Sequence, residues 1–520
     1  MRKKAAAVTA LVALVMPLAL AGCGTGALYG KDKQETSASA PGPQAGAESP
    51  QIPAGPIPEG LEEFYNQPVE WKDCGPAAQC TDIQVPLDYA QPEGKTITVA
   101  MKKRVASGKK IGTLFVNPGG PGGSGIEMVD GINAFFSDKV LAAYDVVGFD
   151  PRGVGKSTPV KCLSDAELDR VLTASYPDDD PETPQKLDAD LQTLSKGCDA
   201  QSGELLPYVG TNQAARDLDV MRALTGEEQL TYVGYSYGTL LGTQYMEYYP
   251  QNVGRMILDG AVDPSLGIQE MSVEQTAAFE TVFRRFMADC LTREDCPFHG
   301  TVDEGIAQMQ ELLARAQTQP YEGEPGRPVN EGQVMTGLVT TMYDPDYWPI
   351  ARTAFGAMQK HNDASTFQLM SDLTVGRKPD GSYDNSSEAN FAINCADYPA
   401  VTEAELAAGV EKAKDFPILG AMYVGSDSCK FWSYHPDVVP GPFTGKGAPP
   451  VVVVGTRYDP ATPYQWSENL AKALESAVLV TYEGDGHTAY NPDNRCIAAP
   501  LDKYLLEGTV PQDGLTCPAQ

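Results

Sequence analysis

Histidine is scarce in this 520-residue chain. His299, His361, His435 and His487 are all there are, and they lie far apart. No two cysteines form a C-x-x-C pair. These two absences exclude the usual zinc-ligand spacings, and no metal is expected. Basic residues are also in short supply: 39 Lys and Arg stand against 69 Asp and Glu, for a net charge of -30. A chain this acidic has no electrostatic reason to bind nucleic acid or an anionic lipid surface, and neither is expected as a partner. The excess of acid reads as a soluble, charged exterior. No internal repeat is found.

What is present begins with Arg2, Lys3 and Lys4, followed by the apolar run AAAVTALVALVMPLALAG. The run is marginal in length for a membrane span, contains Pro17 and ends in small residues. That is the pattern of a secretory signal peptide over 1–22. It closes on Leu20-Ala21-Gly22-Cys23, which resembles the bacterial lipobox. The resemblance implies cleavage before Cys23 and a diacylglyceryl group on its sulfur, since several acyl chains anchor stably where one does not. Loss of residues 1–22 removes three basic residues and no acidic one, leaving -33. The expected location is extracytoplasmic, anchored by lipid or secreted, with the membrane touched only through that lipid. Residues 23–60 include ETSASAPGPQAGAESPQIPAGPIPEG, rich in Pro, Ala, Gly and Ser, and read as a disordered tether.

Of the eleven cysteines, setting Cys23 aside leaves ten. An even number in an exported chain suggests five disulfides. Sequence does not determine connectivity. The simplest reading joins neighbours: Cys74–Cys80, Cys162–Cys198, Cys290–Cys296, Cys395–Cys429 and Cys496–Cys517.

From residue 61 the pattern becomes globular. CTDIQVPLDY and KTITVAMKKRVA read as antiparallel strands. IGTLFVN, YDVVGF, QLTYVGY and GRMILDGAV read as further strands, with helices TNQAARDLDVMRAL and YGTLLGTQYMEYY between them. Thr211 is the expected N-cap of the first helix and Gly226 its stop. This alternation predicts an α/β fold, a mostly parallel sheet flanked by helices, over 61–263. From 264 to 440 helical segments dominate and strong strands vanish, which predicts a helical cap inserted into the α/β domain. Over 441–520 the rhythm returns with APPVVVVGTRYDP, YQWSENLAKALES and AVLVTYEGDGH.

GYSYG, Gly234 to Gly238, lies where a buried strand meets a helix. This is the setting of a nucleophile elbow, with Ser236 at the turn. A serine hydroxyl needs a base, and the base needs an orienting carboxylate. Asp459 follows the strand PPVVVVG, and His487 follows the next strand, so that Ser236, Asp459 and His487 run in α/β-hydrolase order. Asp485, Asp259 and Asp263 are rival acids. The backbone amide of Tyr237 is one expected oxyanion donor. The loop NPGGPGGSG supplies the other, from Gly120, with Gly119 as the alternative; Pro118 and Pro121 have no N–H to give. Tyr235 and Tyr237 either line a pocket or pack the elbow. Gly120 to Gly125 also fits G-x-G-x-x-G, but a dinucleotide enzyme would leave Ser236, Asp459 and His487 without roles. GVGKS lacks the first glycine of a Walker A loop. No cofactor is expected.

CTDIQVPLDYAQP, NPGGPGGSG, YDVVGFDPRGVGKS, YVGYSYGT, VVGTRYDPATP and GDGHTAY together resemble the tripeptidyl aminopeptidase-like α/β-hydrolases, exported serine exopeptidases related to the prolyl iminopeptidases. The likeness covers nearly all of 61–520. It departs from the iminopeptidase loop H-G-G-P-G by placing Pro118 where that loop has His, which favours the tripeptidyl branch over proline selectivity. A monomer is expected. The resemblance implies release of short peptides, tripeptides above all, from a free N-terminus. It also implies a carboxylate that receives the substrate's α-ammonium group, for which Asp397 in INCADYP is the candidate. An esterase or lipase on the same scaffold is the first alternative, and a non-catalytic solute-binding lipoprotein the more distant one.

Overall fold

The computed structural model describes residues 55–176, 181–420, 427–436, 441 and 443–519. The leader, Cys23 and the tether up to residue 54 lie outside the described residues. The last stretch of the expected tether is packed on the body: the Gly55 N–H donates to Asn252 Oδ1 at 2.7 Å.

Ten strands form one sheet: β1 Lys72–Gly75, β2 Ala78–Pro86, β3 Thr96–Arg104, β4 Gly112–Asn117, β5 Tyr144–Phe149, β6 Leu230–Tyr235, β7 Val253–Asp259, β8 Val451–Tyr458, β9 Ala477–Asp485 and β10 Leu515–Pro518. Their spatial order is β1-β2-β3-β5-β4-β6-β7-β8-β9-β10. The pairs β1–β2, β2–β3 and β3–β5 are antiparallel, and every pair from β5 to β10 is parallel. The sequence explains the division. β2 alternates buried and open positions, as a strand with one wet face must. In β8 the run Val451-Val452-Val453-Val454 is buried on both faces. Neighbouring residues of the parallel strands enter opposite core layers. Val451, Val453 and Leu258 join one, with Leu240 and Leu241. Val452, Val454 and Ile257 join the other, with Ile497 and Leu501.

Between β7 and β8 the described residues of 264–440 hold helices and isolated bridges but no strand. Helices Ile268–Cys290, Val302–Thr318, Glu331–Thr341, Trp348–His361 and Ser365–Thr374 bury Phe283, Phe286, Met309, Leu338, Phe355 and Phe367 in a core of their own. Helices Ser386–Asp397 and Glu403–Ala413 follow. Five disulfides join Cys74–Cys80, Cys162–Cys198, Cys290–Cys296, Cys395–Cys429 and Cys496–Cys517.

One expectation needs correcting. Thr211 is the first residue of its helix, Thr211–Leu224, and Gly210 is the cap. The Thr211 hydroxyl is drawn out of a capping role by a carboxylate from the inserted helices, described below.

Where β5 ends, Arg152 is fully buried and satisfies all five of its N–H groups. It donates Nε and Nη2 to Asp217, at 2.7 and 2.6 Å, Nη1 to the Leu87 and Tyr208 carbonyls, and Nη2 to Pro86 O. Asp217 also receives the Tyr89 hydroxyl at 2.8 Å. One side chain thereby ties the end of β2 to the helix Thr211–Leu224. Arg152→Met should lower stability by about 3–5 kcal/mol, because it strands a buried carboxylate. Adding Asp217→Leu should recover much of the loss. Urea midpoints of the two variants check this, and a double variant no better than the single would contradict it.

Candidate active site

β6 passes into the helix Tyr237–Tyr248 through Ser236, which holds φ 56° and ψ -124°. A non-glycine residue keeps such a backbone only when its surroundings enforce it. They do so by leaving no room. A Cβ on Gly234 would lie 2.3 Å from Gly238 O, and one on Gly238 would lie 2.9 Å from Asn117 O. The Ser236 N–H donates to Asp259 O at 2.9 Å, and Ser236 O accepts from the Thr239 hydroxyl at 2.6 Å.

The glycine loop after β4 lies against this turn. A Cβ on Gly119 would meet Tyr235 O at 2.6 Å and Ser236 Cβ at 2.9 Å. The Gly119 N–H is already taken by Asn117 Oδ1 at 2.9 Å. Gly119 is therefore unavailable as an oxyanion donor, while Gly120 borders the cavity beside Ser236 and Tyr237. Asn390 Nδ2 donates to Pro121 O at 2.9 Å and braces the loop from the inserted helices.

His487 Nδ1 lies 2.9 Å from both Asp459 oxygens, and the two side chains are 1% and 0% exposed. A carboxylate only accepts, so Nδ1 carries the proton. Asp459 also receives the Ala461 and Thr462 amides, at 2.9 and 2.8 Å, the Thr462 hydroxyl at 3.0 Å and the Thr488 amide at 3.2 Å. The Thr462 hydroxyl lies 3.3 Å from His487 Nδ1. From the inserted helices, Tyr343 O accepts the His487 backbone N–H at 2.7 Å, and its ring meets the imidazole edge-on. His487 Nε2 is buried and has no hydrogen-bond partner among the described residues. A Cβ on Gly260, next to the Asp259 whose carbonyl accepts the Ser236 N–H, would fall 3.2 Å from His487 Cε1.

The rival acids are engaged elsewhere. Asp485 pairs with Arg285, through Nε and, at 2.7 Å, through Nη2. Asp263 receives the Ser265 amide and hydroxyl and Asn469 Nδ2. Asp259 receives the amides of Ala489 and Tyr490, just after His487, and burial pushes its carboxyl up to about 6. Asp259 thus steadies both loops, Ser236 through its carbonyl and the histidine loop through its carboxylate.

A cavity of about 130 Å³ opens beside Ser236, with Leu240, Phe279, Tyr398 and Trp466 among its apolar walls and Gln275 and Asn394 among its polar groups. Among the described residues, none that line it is charged. Tyr237 lines this cavity, whereas Tyr235 packs the elbow, its hydroxyl on Tyr490 O and its ring against Phe135. Asp397 departs from expectation. It does not line the cavity. It is 6% exposed, and its oxygens receive the Thr211 amide at 2.6 Å and the Thr211 hydroxyl at 2.5 Å. Burial raises its carboxyl to about 7. The carboxylate is turned towards a helix end rather than towards a substrate.

Thr462, Tyr343, Asn390 and Thr211 were not legible as site residues. Thr462 carries a local signal, an Asp followed three residues later by Thr, as in an Asx-type turn. Tyr343 and Asn390 carry none, because they reach the site only through the packing of residues more than a hundred positions away.

A family model described as the α/β hydrolase fold matches residues 112–491. Serine protease Hip1 of Mycobacterium tuberculosis is 34% identical over 484 residues, covering 88% of this chain and 92% of the relative. Carboxylesterase B of the same species is 35% identical, covering 85% and 86%. Tripeptidyl aminopeptidase of Streptomyces lividans is 32% identical, covering 86% of each chain. With its parallel sheet, its serine turn and these relatives, the chain belongs to the α/β-hydrolase family as a serine hydrolase of the tripeptidyl aminopeptidase-like group.

Proposed function

We propose that this chain is an exported serine exopeptidase that removes short peptides, tripeptides above all, from free N-termini through an acyl-enzyme on Ser236. The observation that carries the reading is the buried His487–Asp459 pair, with Nε2 left open beside a strained serine turn. The name of the Streptomyces relative supports the tripeptide.

His487 Nε2 takes the proton of Ser236 as Oγ attacks the peptide carbonyl. The negative oxygen that forms is held by the Tyr237 amide, at the start of a helix where N–H groups have no partner within the helix, and by the Gly120 amide. His487 then passes its proton to the leaving amine. The same base activates water to release the acyl group. Asp459 stays charged and stabilises the imidazolium, and its own four N–H and O–H donors keep it in place. These steps need no metal or organic cofactor.

An uncharged cavity beside Ser236 and the name of the carboxylesterase relative favour a second reading, ester hydrolysis on the same triad. The leader, the Leu20-Ala21-Gly22-Cys23 motif and the disulfides support export with a lipid on Cys23.

Ser236→Ala should keep the wild-type melting curve and lose about 10⁴-fold or more in kcat/KM; appreciable residual turnover in that variant would remove Ser236 from the mechanism. Peptides with a free N-terminus should release their first three residues, and N-acetylation should abolish this, as read by mass spectrometry of products. Equal cleavage of the acetylated peptides, or turnover of acyl esters alone, would favour the esterase. Cys23→Ala should move the protein from the detergent phase to the aqueous phase in detergent partitioning, and an unchanged distribution would dismiss the lipid anchor.

A further inference from the structure

Asp397 is a buried carboxylate without a cation. No Lys, Arg or His among the described residues bonds to it. Three phenols, Tyr237, Tyr248 and Tyr398, feel its charge. Beyond them, Arg216 lies over the Tyr248 ring at 4.7 Å, His435 bonds the Tyr398 carbonyl at 2.9 Å, and Asp263 acts on the Tyr398 phenol. Its partner is Thr211, the first residue of a 14-residue helix, so the carboxylate meets the positive end of the helix. Gly210 keeps that approach open, since a Cβ there would lie 2.9 Å from Asp397 Oδ1. The Thr211 hydroxyl is in turn 2.5 Å from the Tyr237 hydroxyl. Tyr237 follows Ser236 and lines the cavity.

The protons in this chain can be counted. A charged Asp397 only accepts. Thr211 donates its hydroxyl proton to Asp397, and Tyr237 donates its own to Thr211, so two protons make two bonds. A protonated Asp397 brings a third. If it donates to Thr211, the threonine must turn and donate to Tyr237. The phenol proton is then left without an acceptor among the described residues, in a buried position where that is costly.

We propose that Asp397, acting through Thr211, is a positioning residue: its negative charge fixes the Tyr237 hydroxyl and so holds the Tyr237 amide in place beside Ser236. The inference rests on the reading of Ser236 and Tyr237 given above. Burial lifts the Asp397 carboxyl to about 7, so the clamp loosens as pH falls through that value, and activity falls with it. Stability moves the other way. The folded carboxyl binds its proton more tightly than an ordinary aspartate. The contribution of this group to stability is therefore greatest at low pH and is lost as pH rises through about 7. The charged form is needed for turnover and disfavoured by the fold. A merely structural carboxylate would not separate the two properties.

The test is kcat and KM from pH 5.5 to 9 on a tripeptide p-nitroanilide with a free N-terminus, for wild type, Asp397→Asn, Thr211→Val and Thr211→Ser. Asp397→Asn and Thr211→Val should lower kcat at pH 8 by about 10–100-fold with KM little changed. Each should also lose one ionisation from the acid limb. Thr211→Ser keeps the hydroxyl and should keep the wild-type profile. The melting temperature of Asp397→Asn at pH 8 should be no lower than that of wild type. Wild-type kcat and pH profile in Asp397→Asn or Thr211→Val would overturn the proposal, as would a loss of activity that merely follows a loss of melting temperature. Ser236→Ala, assayed alongside, isolates the other failure: if it still turns over, the reading of the site has failed, and this proposal with it.

Discussion

Ser236 can stand at the end of β6 only because its neighbours at two residues' distance carry no side chains. The turn brings Gly234 against Gly238 and Gly238 against Asn117, with separations no Cβ could enter. Much of the site depends on this one steric fact. The tight turn exposes the serine at the edge of the sheet, hands its N–H to Asp259 and lets the Gly119 backbone come close enough to face it. Asp259 then passes the constraint onward by gripping the two amides after His487. Ser236 and His487 are registered against each other through backbone groups, while the His487–Asp459 pair sets only the tautomer and direction of the ring.

The parts of this arrangement visible in the sequence are those with a local cause. Valine runs mark strands buried on both faces, glycines mark the turn, and the order serine, aspartate, histidine follows from strands that end on one edge of a parallel sheet. Asp459 could be preferred over Asp485 because an acid two residues from the histidine is badly placed to reach its ring. The structure adds that Asp485 is held by Arg285. What the sequence leaves hidden has no local cause: Asp397 is visible as a carboxylate, but its partner is not. Asp397 sits in an unremarkable helix end, and only the fold reveals that Thr211, far earlier in the chain, faces it. Thr211 looked like a cap for the same reason: a threonine before a helical run usually serves that helix. Here a carboxylate from elsewhere supplies the missing acceptor, and the threonine moves one place into the helix.

Buried carboxylates recur in the structure, and each is stabilised differently. Asp217 has a guanidinium. Asp459 has an imidazole, the Ala461, Thr462 and Thr488 amides and the Thr462 hydroxyl. Asp259 has backbone amides and no cation, and Asp397 has one amide and one hydroxyl. Burial lifts the carboxyls of the last two, Asp397 further than Asp259. These acids thus differ in how firmly they hold their charge. His487 and Asp459 sit among them, next to a cavity whose walls, among the described residues, carry no charge.

The disulfides say something about how such a chain comes into being. Each bridge closes a stretch of 6 to 36 residues, and no other cysteine lies between its two partners. A polypeptide that emerges N-terminus first therefore presents each of these ten cysteines with its mate before the next pair appears. Oxidation in simple order of arrival yields the native set. The timetable of synthesis does the sorting, and an isomerase is required only where a bond forms late.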